Sequence, residues 1–120
     1  MFSMIGDLTE AEIEEVLKNG SRGHLGCAVG DDLYVVPIFY VYHDGQVFGH
    51  TYEGKKIDMM RKNSSVCLQV DAVENLWEWQ SVIGWGEYEE LSGKDATHAL
   101  ALLAEHLNRD LEKEIGRAHV

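Results

Sequence analysis

Apolar positions recur along this chain with helical spacing in some segments and with a period of two in others. Near the start, a helical stripe predicts an amphipathic helix with Ile13, Val16 and Leu17 on its apolar side. Thr9 is the expected N-cap of this helix, and Asn19-Gly20 is a typical end signal. The first predicted element is therefore a helix that covers the core and carries no evident chemistry.

Patterns with a period of two follow and predict strands over residues 24–29, 33–42, 46–50, 65–71 and 76–91. Asp44-Gly45 predicts a tight hairpin between the second and the third of them. The strand 33–42 is apolar on both faces, which indicates a core on one side and a partner or a ligand on the other. Trp77, Trp79 and Trp85 share one face of the last strand, where this spacing favours packing at an interface over ligand stacking.

Two further helices complete the predicted series. One runs over residues 54–62, and the last opens at Ser92 with a stripe of Ala99, Leu100, Leu103, Leu107 and Leu111. His98 and His106 on that helix are expected to face solvent. A single crossover helix in an otherwise antiparallel series favours a mainly β fold with flanking helices (α+β), arranged as a small β-barrel with helices at its openings. We expect one domain over residues 1–120.

Composition narrows the functional classes. The 120 residues carry a net charge of −11, which argues against general nucleic-acid binding because it repels phosphate backbones. No apolar run approaches the roughly 20 residues of a membrane span and no export signal is visible, so we expect no membrane contact and a cytoplasmic location. Cys27 and Cys67 are too far apart for a redox or zinc motif, so we expect two reduced core thiols and no metal site.

The basic residues are concentrated, and their position suggests an anion site. Lys55 and Lys56 fall in the first turn of the second predicted helix, where the helix dipole disfavours cations. A bound phosphate would pair with the free backbone N–H groups of that turn, and Thr51 could add its hydroxyl. Alternatively, both lysines are solvated and balanced by Glu53 and Asp58. The residues alone leave these two interpretations open.

Pro37 is the only proline, and it interrupts a strand that otherwise reads as central. Proline is tolerated in a sheet where no ladder donor is required, at an edge or a bulge. Such a break would let a planar ligand lie against the backbone, although a plain edge strand is the simpler explanation.

Taken in order, these segments are similar to one protein family. The matching segments are residues 35–42, 44–45, 50–56, 61–63 and 66–71, with 23–25 and 80–86 in support. They resemble the pyridoxamine 5′-phosphate oxidase-related FMN-binding family, in particular the branch that includes the 5-nitroimidazole-resistance proteins. The resemblance implies a split β-barrel homodimer that holds flavin mononucleotide (FMN) in a groove at the subunit interface.

The resemblance also implies which residues contact the cofactor. They are Val36, Pro37, Ile38 and Phe39 along the isoalloxazine, mainly through their backbone; His50 and Thr51 beside the ribityl phosphate; Lys55 and Lys56 on the phosphate; and Gln80 and Ser81 from the fifth predicted strand. No catalytic residue is identified. His24 and His50 are candidate proton donors, with a structural role as the alternative.

The implied function is that of a flavin-dependent oxidoreductase that passes electrons from a reduced nicotinamide to a small nitro- or quinone-like acceptor. A non-catalytic flavin carrier or sensor and a haem-binding split-barrel protein remain as alternatives. The sequence ends in a helix, without the final strand of many relatives and without the arginine and histidine set that grips a second phosphate. Oxidation of pyridoxamine phosphate itself is therefore not expected.

Overall fold

The computed structural model describes residues 3–5, 10–50, 54–73 and 77–118. Its helices are α1 (Glu10–Asn19), α2 (Lys55–Lys62) and α3 (Gly93–Ala118). Its strands are β1 (Ser3–Ile5), β2 (Arg22–Val29), β3 (Asp32–His43), β4 (Gln46–Gly49), β5 (Ser65–Val73) and β6 (Trp79–Glu87). All strand pairs are antiparallel, and the sheet has the order β1-β6-β5-β2-β3-β4. The predicted mainly β architecture with flanking helices is confirmed, and α2 is the crossover between β4 and β5.

Three details at the ends of the elements differ from the prediction or fall outside its test. β1 is absent from the predicted series, because three residues are too few to show a period. β6 is shorter than predicted, and Trp77 lies before it with 90% of its surface exposed. Thr9, the predicted N-cap of α1, lies outside the described residues.

The turn between β3 and β4 is the one that Asp44-Gly45 predicts. Asp44 has a φ of 49° and Gly45 a φ of 76°, and His43 pairs with Gln46 across the turn. Positive φ at both central positions is the geometry of a two-residue type I′ hairpin. The turn therefore fixes the register of β4 on the second half of β3.

Two core clusters pack on one face of the sheet, here called the inner face. The α1 cluster comprises Ile13, Val16, Leu17, Tyr40, Leu68, Val70 and Val82. The α2 cluster comprises Cys27, Ile57, Met59 and Met60. Tyr40 is fully buried and donates its hydroxyl proton to the Leu17 carbonyl at 2.9 Å, which ties β3 to the end of α1. The apolar stripe predicted for α1 is confirmed as its buried side.

The opposite, outer face of the sheet carries large apolar side chains in solvent. One row of cross-strand neighbours runs over four strands: Val35, Gly26, Cys67 and Trp85. The exposed apolar residues of this face are 39% to 76% exposed, and they are Leu33, Val35, Phe39, Val73, Trp79 and Trp85. The prediction that a core covers one face of β3 is confirmed. That a partner or a ligand covers the other face of β3 stays a prediction.

Helix α3 packs on the β3–β4 hairpin through a side that includes Ala99, Leu103 and Leu107 of the predicted stripe but excludes its other two members. Leu103 and His106 are buried, whereas Leu100 and Leu111 of the predicted stripe are exposed. The expectation that His106 faces solvent is wrong, because its Nε2 atom lies 2.7 Å from the Gly20 carbonyl oxygen and this contact satisfies its polar edge. None of the helices in the described segments combines the length and the hydropathy of a membrane crossing.

Candidate functional site

The first half of β3 forms an open edge of the sheet. β3 pairs with β2 from Asp32 to Phe39 but with β4 only from residue 40 onwards, so within the described residues no strand flanks its other side over 32–39. The Tyr40 N–H donates to the Ser21 carbonyl on the β2 side at 2.9 Å. Backbone N–H groups alternate along a strand, so those at positions 33, 35 and 39 point to the open edge.

Pro37 lies in the middle of this open edge, opposite His24 of β2. The nitrogen of Pro37 carries no hydrogen. The N–H group of any other residue at this position would point away from β2, so no hydrogen bond to β2 is lost. The interpretation of Pro37 as an edge residue is therefore confirmed. The side chains of Pro37 and Phe39 lie on the outer face, and those of Val36 and Ile38 lie on the inner face.

The described residues on either side of 51–53 lie near the two ends of the open edge. At one end, Gly49 lies against β3, because a Cβ atom built on it would be 3.2 Å from the Phe39 carbonyl oxygen. At the other end, the Lys55 Nζ atom is 3.6 Å from Asp32 Oδ2 and 5.1 Å from the centre of the Tyr34 ring. The edge is thus bounded by the end of β4 and by the start of α2. Thr51, predicted to join this site, lies outside the described residues.

Within the described residues, no acceptor pairs with the first backbone N–H groups of α2. Its N-cap, Gly54, makes no side-chain capping bond, and the Asp58 N–H is the one that reaches the Gly54 carbonyl, at 3.1 Å. The N–H groups of residues 55–57 precede that first intrahelical bond. This turn therefore has the donors that a bound anion would use.

Lys55 and Lys56 point in different directions, as consecutive residues of a helix do. Lys55 is half exposed and turns towards Asp32 at the open edge. Lys56 is half-buried and lines a cavity on the other side of α2. The carboxylate beside Lys55 is thus Asp32, whereas the sequence suggested Glu53 and Asp58 as the balancing charges. Glu53 lies outside the described residues.

A cavity of about 550 Å³ lies between α2, α3, β4 and part of the inner face. Three of the predicted site residues line it, namely Ile38, His50 and Lys56. Arg61 also lines it and donates from Nε to Glu90 Oε1 at 2.5 Å. This hydrogen bond holds the pKa of Glu90 below its ordinary value. The positive charge of Arg61 is therefore paired with the Glu90 carboxylate at the rim of the cavity.

The two residues predicted from β6 reach opposite faces, because side chains alternate along a strand. Ser81 lies on the outer face, where its Oγ accepts a hydrogen bond from Gln69 Nε2 at 2.9 Å. Gln69 also accepts a bond from His24 Nδ1 at 3.3 Å. Gln80 points inward and donates to Glu12 of α1 at 3.4 Å. Gln69 is not among the predicted site residues, although cross-strand alternation could have placed it beside His24.

Comparison with known proteins gives consistent matches. The family model described as pyridoxamine 5′-phosphate oxidase matches residues 9–119. A Rhizobium meliloti (strain 1021) protein described as uncharacterized is 32% identical over 91 residues, which are 76% of this chain and 60% of that protein. The chain therefore spans 60% of the length of this curated relative.

Two solved structures share the fold. A FAD-binding protein from Mesorhizobium loti matches with a TM-score of 0.75 and 36% identity, over 84% of this chain and 77% of that one. A proposed 5-nitroimidazole antibiotic resistance protein from Bacteroides thetaiotaomicron matches with a TM-score of 0.75 and 21% identity, over 88% and 70% of the two chains. The split β-barrel expected from the sequence is confirmed by these similarities.

Proposed function

The chain belongs to the pyridoxamine 5′-phosphate oxidase family, and from this membership we propose that it binds FMN along the open edge of β3 and acts as a flavin-dependent oxidoreductase. The Mesorhizobium loti relative is named a FAD-binding protein, which supports a flavin as the cofactor. The observation that carries the proposal is the open edge of β3 with the uncapped start of α2 at its end.

The edge suits an isoalloxazine ring because its polar groups are backbone groups of fixed position. The N–H groups at positions 35 and 39 are about 13 Å apart along the strand, so one of them can pair with a flavin carbonyl group, while Pro37 leaves the stretch between them without a donor. Val36, Pro37, Ile38 and Phe39 are the residues proposed to hold the ring. Ser81 lies on the outer face together with Pro37, whereas Gln80 lies on the inner face.

The start of α2 suits a terminal phosphate. Its N–H groups would pair with the phosphate oxygens. Lys55, which lies beside Asp32, and Lys56, on the other side of the same turn, are proposed to turn towards the phosphate when it binds, with His50 and Thr51 beside the ribityl chain. Phosphate contacts of this kind are each worth roughly 1.5–3 kcal/mol. A monophosphate fits this arrangement directly, which favours FMN over FAD.

The outer face supports a homodimer. Its exposed apolar side chains begin at the open edge with Val35 and Phe39 and continue to Trp79 and Trp85 on β6. An apolar surface of this kind is typical of an interface. A second copy of the chain on the outer face would also cover the flavin site proposed at the β3 edge.

The flavin, when bound, supplies hydride and electron transfer, and the protein supplies its position and its electrostatic surroundings. We propose a reduced nicotinamide as the donor and a small nitro- or quinone-like molecule as the acceptor. His24 is the candidate proton donor on the flavin side of the sheet, because it lies opposite Pro37 and Gln69 holds its ring. His50, at the end of β4, is the second candidate.

The test is a set of titrations of the purified protein with FMN, FAD and riboflavin, followed by flavin fluorescence. The Lys55→Ala/Lys56→Ala double variant should weaken FMN binding by about tenfold or more, because it removes charge-assisted contacts, and should leave riboflavin unchanged. Lys94→Ala, at an exposed position on α3, is the matched control. An equal loss for FMN and riboflavin would contradict the phosphate assignment.

The reaction is tested with the FMN-loaded protein, a reduced nicotinamide and a quinone or a nitroaromatic compound. Turnover at about one per second would support the oxidoreductase assignment. Flavin binding without turnover would instead identify a carrier or sensor. A haem Soret band in place of a flavin spectrum would identify the haem-binding alternative.

A further inference from the structure

Gln69 is the centre of a chain of hydrogen bonds on the outer face of the sheet. Its side chain bonds to His24 on one neighbouring strand, to Ser81 on the other, and to Asp71 on its own strand. His24 in turn is the cross-strand neighbour of Pro37. The chain of hydrogen bonds therefore leads from the middle of the sheet towards the edge at which the flavin is proposed to bind.

The partners of Gln69 decide which way its side-chain amide is turned. The nitrogen Nε2 lies 2.5 Å from Asp71 Oδ1 and 2.9 Å from Ser81 Oγ. A carboxylate only accepts hydrogen bonds, so it must face the NH₂ group of the amide. The reverse orientation would place the amide oxygen against the carboxylate. Oε1 is therefore the atom that Gln69 presents to His24.

The orientation of this amide in turn decides the tautomer of His24. The Nδ1 atom of His24 lies 3.3 Å from Gln69 Oε1. An amide oxygen only accepts hydrogen bonds, so Nδ1 carries the hydrogen in this contact. The bond to Asp71 polarises the amide and makes its oxygen a stronger acceptor. In the neutral ring, Nε2 therefore has a lone pair and no hydrogen.

The Nε2 atom of His24 is available to a ligand. His24 is exposed, and within the described residues the only hydrogen bond of its ring is the one to Gln69. A histidine side chain free in water favours the other tautomer, with its hydrogen on Nε2. The contact with Gln69 thus changes which ring nitrogen can accept a proton.

We propose that Gln69 is a positioning residue, which keeps the hydrogen of the neutral His24 ring on Nδ1 and makes Nε2 the atom that takes up and releases a proton beside the flavin. The ring then gives a proton only as the imidazolium cation, and it returns to the Nδ1–H form afterwards. In the reduction of a quinone to a hydroquinone, the flavin would supply a hydride and Nε2 one proton. This role of Nε2 rests on the proposed function, whereas the tautomer is a property of the chain without flavin.

The tautomer is measured in ¹⁵N-labelled, flavin-free protein at a pH at which the imidazole is neutral. Long-range ¹H–¹⁵N correlation spectra distinguish ring nitrogens with and without hydrogen, and His24→Gln assigns the His24 signals. His24 should carry its hydrogen on Nδ1. His106, whose Nε2 atom faces the Gly20 carbonyl, should carry it on Nε2 and is the internal reference. A His24 ring with its hydrogen mainly on Nε2 would overturn the proposal.

Variants test whether Gln69 is the cause. Gln69→Met has a similar length but no acceptor oxygen, so most His24 rings should then carry their hydrogen on Nε2. Gln69→Glu keeps an oxygen that accepts from Nδ1 and should retain the wild-type tautomer. Gln80→Met, at a half-buried glutamine on the inner face, is the matched control and should not change His24. If Gln69→Met leaves the hydrogen on Nδ1, Gln69 does not set the tautomer.

The effect on proton transfer is measured with FMN-loaded protein, a reduced nicotinamide and a quinone. Gln69→Met should lower kcat about tenfold or more and change the KM for the quinone much less, because the ring stays in place while its proton moves. Gln69→Glu should recover most of the loss, and Lys94→Ala is the control. An unchanged kcat in Gln69→Met would overturn the role in proton transfer. Absence of turnover in the wild type would count against the proposed function, and the flavin-free spectra would still decide the tautomer.

Discussion

The Nε2 atom of His106 on α3 lies 2.7 Å from the carbonyl oxygen of Gly20, 86 residues earlier in the chain. A carbonyl accepts hydrogen bonds only, so Nε2 carries the proton and donates it. The Gly20 N–H in turn donates to the Val16 carbonyl at 3.1 Å, where α1 ends. His106 therefore fastens α3 to the end of α1 through a backbone group.

Replacement of His106 should lower the free energy of unfolding. In His106→Ala the partly buried Gly20 carbonyl loses its donor, and such a loss costs about 1–3 kcal/mol. Urea unfolding followed by circular dichroism measures the change. His98→Ala, at an exposed position two turns earlier, is the control and should stay within about 0.5 kcal/mol of wild type. Equal effects of the two variants would contradict the role given to His106.

Tyr40 should make stability depend on pH in the alkaline range. Burial, assisted by the Asp110 charge, raises the pKa of Tyr40 well above its ordinary value of 10.0. A group with a raised pKa contributes stability that is complete below its unfolded pKa and is lost as the pH rises through its folded pKa. The wild-type protein should therefore lose stability above pH 10, and Tyr40→Phe should not share this part of the loss.

The comparison uses urea unfolding between about pH 8 and 11. At the lower end Tyr40→Phe should be less stable than wild type by about 1 kcal/mol, since the Leu17 carbonyl loses its donor. The difference in the free energy of unfolding between the two proteins should narrow as the pH rises. The pKa of Tyr42 is also raised, by burial and by Glu14. Tyr42 is present in both proteins, so its contribution cancels in the comparison. A difference that does not change with pH would contradict this prediction.

Cys27 should react slowly with thiol reagents in the folded protein. Burial raises the pKa of its thiol, and the nearby Asp32 charge raises it further. Because the thiolate is the reactive form, alkylation by iodoacetamide at pH 8 should be at least about tenfold slower than in the urea-unfolded chain. Peptide mass spectrometry measures both rates. Asp32→Asn should speed the reaction, and an unchanged rate would show that the Asp32 charge has no influence.

Val35→Asp should convert the proposed dimer into a monomer. Val35 lies on the outer face with 66% of its surface exposed, and a carboxylate there would be desolvated in an interface. Light scattering at micromolar concentration should give twice 13.5 kDa for wild type and about 13.5 kDa for the variant. Ala101→Asp, which adds the same charge on α3, should remain dimeric. A wild-type mass of one chain would refute the dimer itself.

Local patterns were sufficient to predict five of the six strands that the structure describes. The alternation along β3, the Asp44-Gly45 turn and the stripe of α1 each depend on neighbouring residues, and each appears in the structure as expected. Pro37 predicted an edge position because a residue without an N–H group cannot donate a hydrogen bond to a neighbouring strand in any sheet. The order of the elements favoured a small β-barrel, and the resemblance to a family then specified the split-barrel type, which no local pattern contains.

The burial of His106, the neighbour of Lys55 and the cavity could not be predicted from the sequence, because they depend on contacts between distant parts of the chain. His106 is buried because Gly20 offers a carbonyl, and no periodicity along α3 could indicate that. The separation of Lys55 and Lys56 follows from the rotation of about 100° per helical residue, but Asp32 as the neighbour of Lys55 follows from the fold alone. The cavity likewise arises only when α2 and α3 meet the same face of the sheet.

The position of Pro37 also bears on how this protein stays in solution. An edge strand flanked by apolar side chains is a template for the strands of other molecules, and uncontrolled pairing of this kind leads to aggregates. Pro37 removes one N–H from the middle of the exposed row and its ring obstructs an incoming backbone. A strand cannot add along the whole edge, whereas a small flat molecule needs only one of the donors beside Pro37. Pro37, which is proposed to adjoin the flavin, thus also limits aggregation through this edge.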